Sequence, residues 1–134
     1  MTRVFVDTSA LLALLDRADP RHEEVRATFG SLEDADLVTH GYVVAESLAV
    51  ARRRFGVDGA IALLDDLLPV LSILPVDPGL HLIVQARYRA SLPSGTSFAD
   101  LISFAVIERD QLDAAFATDP DFAPAGVPLL PPLA

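Results

Sequence analysis

The stretch Val4-Phe5-Val6-Asp7-Thr8-Ser9-Ala10-Leu11-Leu12 decides how the chain is read. Three β-forming residues run into an acid, then two hydroxyl residues, then an apolar helical pattern. Asp7 therefore stands where a buried strand ends and a helix begins. In an open α/β sheet, the carboxyl ends of the strands are where ligands and chemistry collect. The same residue would also serve as an N-cap, a role that Asp, Ser and Thr all fill. The stretch by itself leaves both roles open.

Working outward, strands alternate with helices almost throughout. The first strand is Val4 to Val6, and a short helix runs from Thr8 to Leu15. Asp19-Pro20 reads as a cap and a first helical residue, with the second helix reaching Leu32. Asp36 to Thr39 is the second strand. The third helix takes Tyr42 to Phe55 and stops at Gly56, and a fourth takes Val57 to Leu68. Ser72 to Leu74 is the third strand. Asp77-Pro78 opens a fifth helix that reaches Ser91, Leu92 to Gly95 is a loop, and a sixth helix spans Phe98 to Arg109. Ala114 to Ala117 is the fourth strand, and Val127 to Leu130 is a short edge strand in a proline-rich tail. This alternation predicts a three-layer α/β/α domain whose central, mainly parallel sheet has four to five strands. With 134 residues, no repeat and no linker, one domain over residues 1–134 is expected.

Composition narrows the function classes. Apolar residues make up 51 % of the chain, enough for a core and too many for disorder. Without cysteine there is neither a disulfide nor a thiolate metal site, as suits a reducing compartment. The apolar run Leu11 to Leu15 is bounded by Asp7 and Asp16, so neither a membrane span nor a signal peptide is expected, and the cytoplasm is the expected location. The net charge of −9 is unlike a general nucleic-acid binder, although metal ions can neutralise an acidic site locally. It also suits a basic protein partner. All ten cations are Arg, so lysine chemistry is excluded. The three histidines, His22, His40 and His81, show no ligand spacing.

Four carboxylates carry the functional argument. Glu46 lies in the middle of the third helix, Tyr42-Val43-Val44-Ala45-Glu46-Ser47-Leu48-Ala49-Val50-Ala51, which is apolar nearly all round and so expected to be largely buried. Its neighbours at helical spacing are Tyr42, Val43, Ala49 and Val50, so no ion pair is available along the helix. A carboxylate buried there is neutralised, paired or bound to metal. Asp100 falls in the first turn of the sixth helix in Ser97-Phe98-Ala99-Asp100, a spacing that also makes a capping box. Asp119 follows the fourth strand in Thr118-Asp119-Pro120-Asp121, where Asp before Pro also starts a turn, and Asp121 competes with it. Together, Asp7, Glu46, Asp100 and Asp119 would meet at one sheet edge. Carboxylates so gathered repel one another, and a hard divalent cation relieves this. Mg²⁺ takes few protein carboxylates and keeps positions for phosphate oxygens, which suits hydrolysis of a phosphodiester.

These pieces resemble the PIN domain, and within it the VapC toxins of bacterial toxin–antitoxin pairs. The resemblance lies in Val4 to Leu11, Glu46, Ser97 to Ala105 and Ala115 to Phe122, and it covers essentially the whole chain. It implies a Mg²⁺- or Mn²⁺-dependent endoribonuclease with Asp7, Glu46, Asp100 and Asp119 as catalytic and metal-binding acids. It implies Thr8 or Ser9 as a site hydroxyl, a homodimer, and inhibition by a VapB-like antitoxin. One departure stands out: the family's usual Thr or Ser two places before the last Asp is Ala117 here, with Thr118 beside it.

Arg52-Arg53-Arg54 ends the third helix, where cations suit the helix dipole. Arg53 is seven residues after Glu46 and therefore on its face, placed to hold an RNA phosphate. Leu63, Leu64, Leu67 and Leu68 add apolar surface that a second copy would cover. The rival readings are another metal-dependent phosphohydrolase and a non-catalytic PIN-like interaction module.

Overall fold

The computed structural model of the chain describes residues 1–133, so only Ala134 of the expected domain lies outside it. Five strands form one sheet: β1 (Arg3–Val6), β2 (Asp36–His40), β3 (Ser72–Leu74), β4 (Ala114–Phe116) and β5 (Leu129–Leu130). Their order is β3-β2-β1-β4-β5, and every neighbouring pair is parallel. The sheet is thus wholly rather than mainly parallel. Phe5 pairs with Val38 on one side and with Ala115 on the other. Val4, Phe5 and Val6 are all buried, as a continuous apolar run must be when helices cover both faces of the sheet. The chain winds outward from β1 to β3, then returns to place β4 on the other side of β1. The strand order therefore reverses between β1 and β4, which opens a crevice at their carboxyl ends.

The helices are α1 (Thr8–Leu15), α2 (His22–Ser31), α3 (Gly41–Ala62), α4 (Pro78–Ser91) and α5 (Phe98–Arg109). Asp77 caps α4 by accepting from the Leu80 N–H at 2.8 Å. The expected start of α2 is corrected: Asp19 Oδ1 accepts from the Arg21 N–H at 2.8 Å and closes a turn, so the helix begins only at His22. A carboxylate committed to such a turn cannot also cap. The break expected at Gly56 is present inside α3, where that residue takes φ 74° and ψ −164°. Glycine alone adopts such angles freely. Beyond Ala62 the helix loosens through a π turn at Leu63–Leu67 and then tightens through a 3-10 turn at Leu68–Val70.

Two expectations about burial are overturned. Only Val43, Ser47 and Ala51 of α3 are buried, a single stripe at four-residue spacing. The outward positions include Ala45 and Ala49, whose small side chains cost little in water. Leu63 and Leu67 face the core, and only Leu64 of that leucine group is strongly exposed, at 48 %.

His40, the last residue of β2, caps α3 from a fully buried position. Its Nδ1 accepts from the Tyr42 and Val43 N–H groups at 3.2 and 3.4 Å, and its Nε2 lies 2.8 Å from Ser103 Oγ. The Ser103 hydroxyl donates to the Ala99 carbonyl at 2.9 Å, so the proton between ring and hydroxyl belongs to Nε2. The ring is therefore neutral. Burial, aided by the Arg109 charge, depresses its pKa from 6.5 to about 4. Between those values the unfolded chain binds a proton that the folded protein refuses, so stability falls as pH falls. His40→Asn keeps a capping acceptor and removes the titration. Wild type is expected to lose on the order of 3 kcal/mol more than this variant between pH 7 and pH 4. Urea unfolding across that range measures the difference, and parallel acid losses would clear His40 of the effect.

Candidate functional site

A cleft of about 400 Å³ opens at the crevice between β1 and β4. Asp7, Glu46, Asp100, Asp119 and Asp121 all line it, together with Thr8, Ser9, Val50, Arg54 and Ser97. Four distant parts of the chain thus deliver carboxylates to one place. Asp7 arrives at the end of β1, Glu46 from the second turn of α3, Asp100 from the first turn of α5, and Asp119 from the loop after β4.

Asp7 fills both roles that its sequence context left open. Its Oδ2 accepts from the Ser9 N–H at 3.1 Å and from the Ser9 hydroxyl at 2.6 Å, which caps α1. Its side chain also faces the cleft and is only 6 % exposed. Burial pushes its pKa up, the hydrogen bonds from Ser9 and Thr8 oppose this, and Glu46 adds to it. The Ser9 Oγ in turn accepts from the Thr118 N–H at 3.0 Å and the Asp119 N–H at 3.4 Å. Its single proton is therefore directed at Asp7, and the hydroxyl ties that carboxylate to the β4 loop. Thr8 is buried and its Oγ1 accepts from Ser47 Oγ at 3.2 Å, which locks α1 to α3.

Asp100 has the most telling electrostatics. Burial above all, then the charges of Asp7, Asp119 and Glu46, together raise its pKa to about 6 against the opposing hydrogen bond from Ser97. Ser97 accepts the Asp100 N–H at 3.0 Å and so caps α5. Asp119 caps the short 3-10 helix Pro120–Ala125 through the Asp121 N–H at 2.9 Å. Asp119 acts on Asp100 electrostatically whereas Asp121 is not among the groups that shift it, although both line the cleft.

The site departs from expectation in three respects. Glu46 is exposed, not buried, because its face of α3 is the one that opens onto the cleft. Arg53 does not line the cleft; Arg54 does, four residues beyond Val50 and eight beyond Glu46. Seven-residue spacing fixes where a side chain leaves the helix, not where a long guanidinium head comes to rest. Finally, among the described residues, no three Asp, Glu or His side chains converge on one point as the ligands of an ion would. Like charges facing one another across a cleft lower their energy by standing apart, and Asp7 is further held to Ser9. Two contributors carry no sequence signal: the Ser47 hydroxyl and the place of the Arg54 head in the cleft. The Ser97 cap was legible in Ser97-Phe98-Ala99-Asp100, but nothing in the sequence pointed to the contact of Ser47 with Thr8.

The family model of the PIN domain matches residues 4–127. Ribonuclease VapC26 of Mycobacterium tuberculosis is 45 % identical to the chain over 64 residues, 48 % of this chain and 47 % of that protein. The chain thus spans about half the length of that relative. The crystal structure of VapC20 of Mycobacterium tuberculosis, a sarcin-ricin loop cleaving toxin, superimposes with a TM-score of 0.82 at 29 % identity, covering 92 % of this chain and 95 % of that one. PAE2754 of Pyrobaculum aerophilum shares the fold with a TM-score of 0.59 at 20 % identity, covering 96 % of this chain and 90 % of that one.

Proposed function

The chain belongs to the PIN-domain family, and on that footing we propose that it is a metal-dependent endoribonuclease, the toxin half of a toxin–antitoxin pair. One observation carries the reading: Asp7, Glu46, Asp100 and Asp119 line a single cleft at the sheet's reversal of order, with Asp100 pushed up to about 6. The similarity to VapC26, named a ribonuclease, and to VapC20, which cleaves the sarcin-ricin loop, makes RNA the substrate of choice.

The donor set fits a hard cation. All its members are carboxylates, no thiolate or imidazole lines the cleft, and the mutual repulsion written into Asp100 is what a cation relieves. Mg²⁺ is held through one or two carboxylates plus waters, so the acids need not converge as a closed cage. Asp7 and Asp100, the two most perturbed acids, would hold it together with Glu46, directly or through its waters, with Asp119 completing the negative wall. Bound there, Mg²⁺ or Mn²⁺ supplies an activated water and stabilises the leaving oxygen of the phosphodiester. The protein's own part is orientation. Ser9 fixes the Asp7 carboxylate, Ser97 fixes the start of α5, and Thr8 and Ser9 pack the floor beneath the scissile phosphate. The test is RNA cleavage by the purified chain with Mg²⁺ or Mn²⁺ and with a chelator. Cleavage only with metal is expected, and cleavage that survives chelation would rule the mechanism out.

Arg54 is the one cation lining the cleft among the described residues, and it holds a phosphate there in place of the expected Arg53. Arg54→Ala should raise KM for RNA about tenfold with a smaller change in kcat, the mark of lost ground-state binding worth about 1.4 kcal/mol. An unchanged KM would place the phosphate elsewhere. The cleft's acidity and the net charge of −9 suit a basic antitoxin segment, VapB-like, whose Arg forks onto the carboxylates and excludes both metal and phosphate. Val57, Ile61 and Leu64 form an exposed apolar stripe that a homodimer would cover. Among the described residues no helix is long and apolar enough to cross a membrane, and the proposed place of action is the cytoplasm, where RNA is met.

A further inference from the structure

The imidazole of His40 touches none of the cleft, yet it joins the two helices that carry half of the acids. One nitrogen takes the N–H groups of Tyr42 and Val43 in the first turn of α3, four and three residues before Glu46. The other reaches Ser103, one turn after Asp100, and the Ser103 hydroxyl passes the chain of bonds on to the carbonyl of Ala99, the residue before Asp100. Among the described residues this is the only side-chain hydrogen bond that runs from the start of α3 to α5. The ring is also wedged between the Phe5 ring of β1, at 5.5 Å, and the Tyr42 ring, at 5.9 Å, so it has no room to swing.

A buried N-cap has no need of a second nitrogen. Ser, Thr, Asp or Asn fill the role with one acceptor, and each is a commoner choice. Histidine at this position adds a donor on the far side of the ring, and the structure uses it. Every proton in the chain is accounted for: backbone N–H to Nδ1, Nε2–H to Ser103, and the Ser103 hydroxyl to Ala99. No alternative tautomer satisfies all partners, so the bridge has one geometry. A role in proton transfer is excluded, since the ring is fully buried and both nitrogens are engaged.

We infer that His40 and Ser103 form a positioning pair that sets the separation of Glu46 and Asp100 across the cleft. The inference rests on the reading of those acids as the cation's holders. A preorganised pair binds its cation without first having to be drawn together, whereas helices free to drift apart must be ordered at the moment of binding. Loss of the bridge should therefore weaken metal binding more than it weakens the fold. Groups that support ligands in this way typically contribute about tenfold to a hundredfold in metal affinity.

The experiment titrates Mn²⁺ against the melting temperature of the whole chain and, in parallel, against RNA cleavage. Ser103→Ala removes the bridge and keeps the cap; His40→Asn keeps a cap and removes the bridge from the other side; Ser103→Thr keeps the hydroxyl. Expected is about a tenfold rise in the Mn²⁺ concentration at half effect for Ser103→Ala and His40→Asn. Near-wild-type kcat should return at saturating Mn²⁺, and Ser103→Thr should remain within about twofold of wild type. Ser103→Ala carries the result alone if His40→Asn does not fold. Wild-type half points in Ser103→Ala would overturn the proposal, and so would equal weakening in Ser103→Thr, which would mean that the volume of the side chain and not its hydroxyl matters. Glu46→Gln is measured beside them. If it loses the Mn²⁺ response while Ser103→Ala retains it, the positioning role falls and the metal reading stands. If Glu46→Gln responds as wild type does, both fall.

Discussion

Asp7→Asn is expected to leave the chain folded and to lower RNA cleavage by about a hundredfold to a thousandfold or more. The amide oxygen still accepts from the Ser9 N–H and hydroxyl, so α1 keeps its cap, and Asn caps as well as Asp does. What disappears is a negative charge that the fold holds at a cost, because burial pushes the Asp7 pKa up and Glu46 adds to the push. Without metal the variant should therefore melt no lower than wild type. With Mg²⁺ the order should invert, since wild type gains stability by mass action and the variant gains little. Circular dichroism, melting curves with and without Mg²⁺, and a cleavage assay separate the two effects. Wild-type cleavage in a folded Asp7→Asn protein would end the metal mechanism.

The sequence made the centre of the fold legible because several signals agree there. Val4 to Val6 form an apolar run without alternation, which only a doubly covered strand permits, and Asp7 with two hydroxyl residues marks the turn into a helix. Asp77-Pro78, Ser97 and Gly56 were equally readable, since caps and breaks are local chemistry. What local reasoning could not supply was the contest between local partners or the direction of a long side chain. Asp19 has the right residues around it for a cap, but an Asx turn with Arg21 takes its carboxylate first. Glu46 was placed in a buried helix because α3 is apolar all round. The exposure of Ala45 and Glu46 depends on where α3 lies over the sheet, which periodicity does not encode. His40 shows no ligand spacing in the sequence, and its second partner, Ser103, is 63 residues away. Such a pair is set by tertiary packing and carries no sequence spacing. Asp7, Asp100 and Asp119 are legible because each also performs local work, as a cap or in a first turn, and Glu46 because it has no helical partner.

Asp100→Asn should separate stability from function more sharply than any other substitution. Wild-type Asp100 is lifted to about 6 by burial first, then by Asp7, Asp119 and Glu46. At pH 7 the carboxylate is ionised in both folded and unfolded chains, and the folded state bears the repulsion. The amide removes it. Because the side chain is only half-buried, solvent screens much of this, and a gain of about 1 kcal/mol in the metal-free protein is the expected scale. Cleavage should fall about a hundredfold or more, and the rise in melting temperature on adding Mg²⁺ should vanish. The pH dependence gives a further handle. Between pH 4 and pH 6 the folded wild type binds a proton at Asp100 that the unfolded chain does not, so this contribution to stability grows as pH falls. Neutral His40 works in the opposite sense over nearly the same range, and the two offset one another. Asp100→Asn removes this gain and leaves the His40 loss as it is, so the variant should lead wild type at pH 7 and surrender that lead as the pH approaches 4. Urea unfolding of both proteins without metal, at pH 7, 6, 5 and 4, reads the crossing directly. Parallel curves would mean that neither burial nor the other acids lift Asp100, and with that the argument for a cation between them would lose its electrostatic ground.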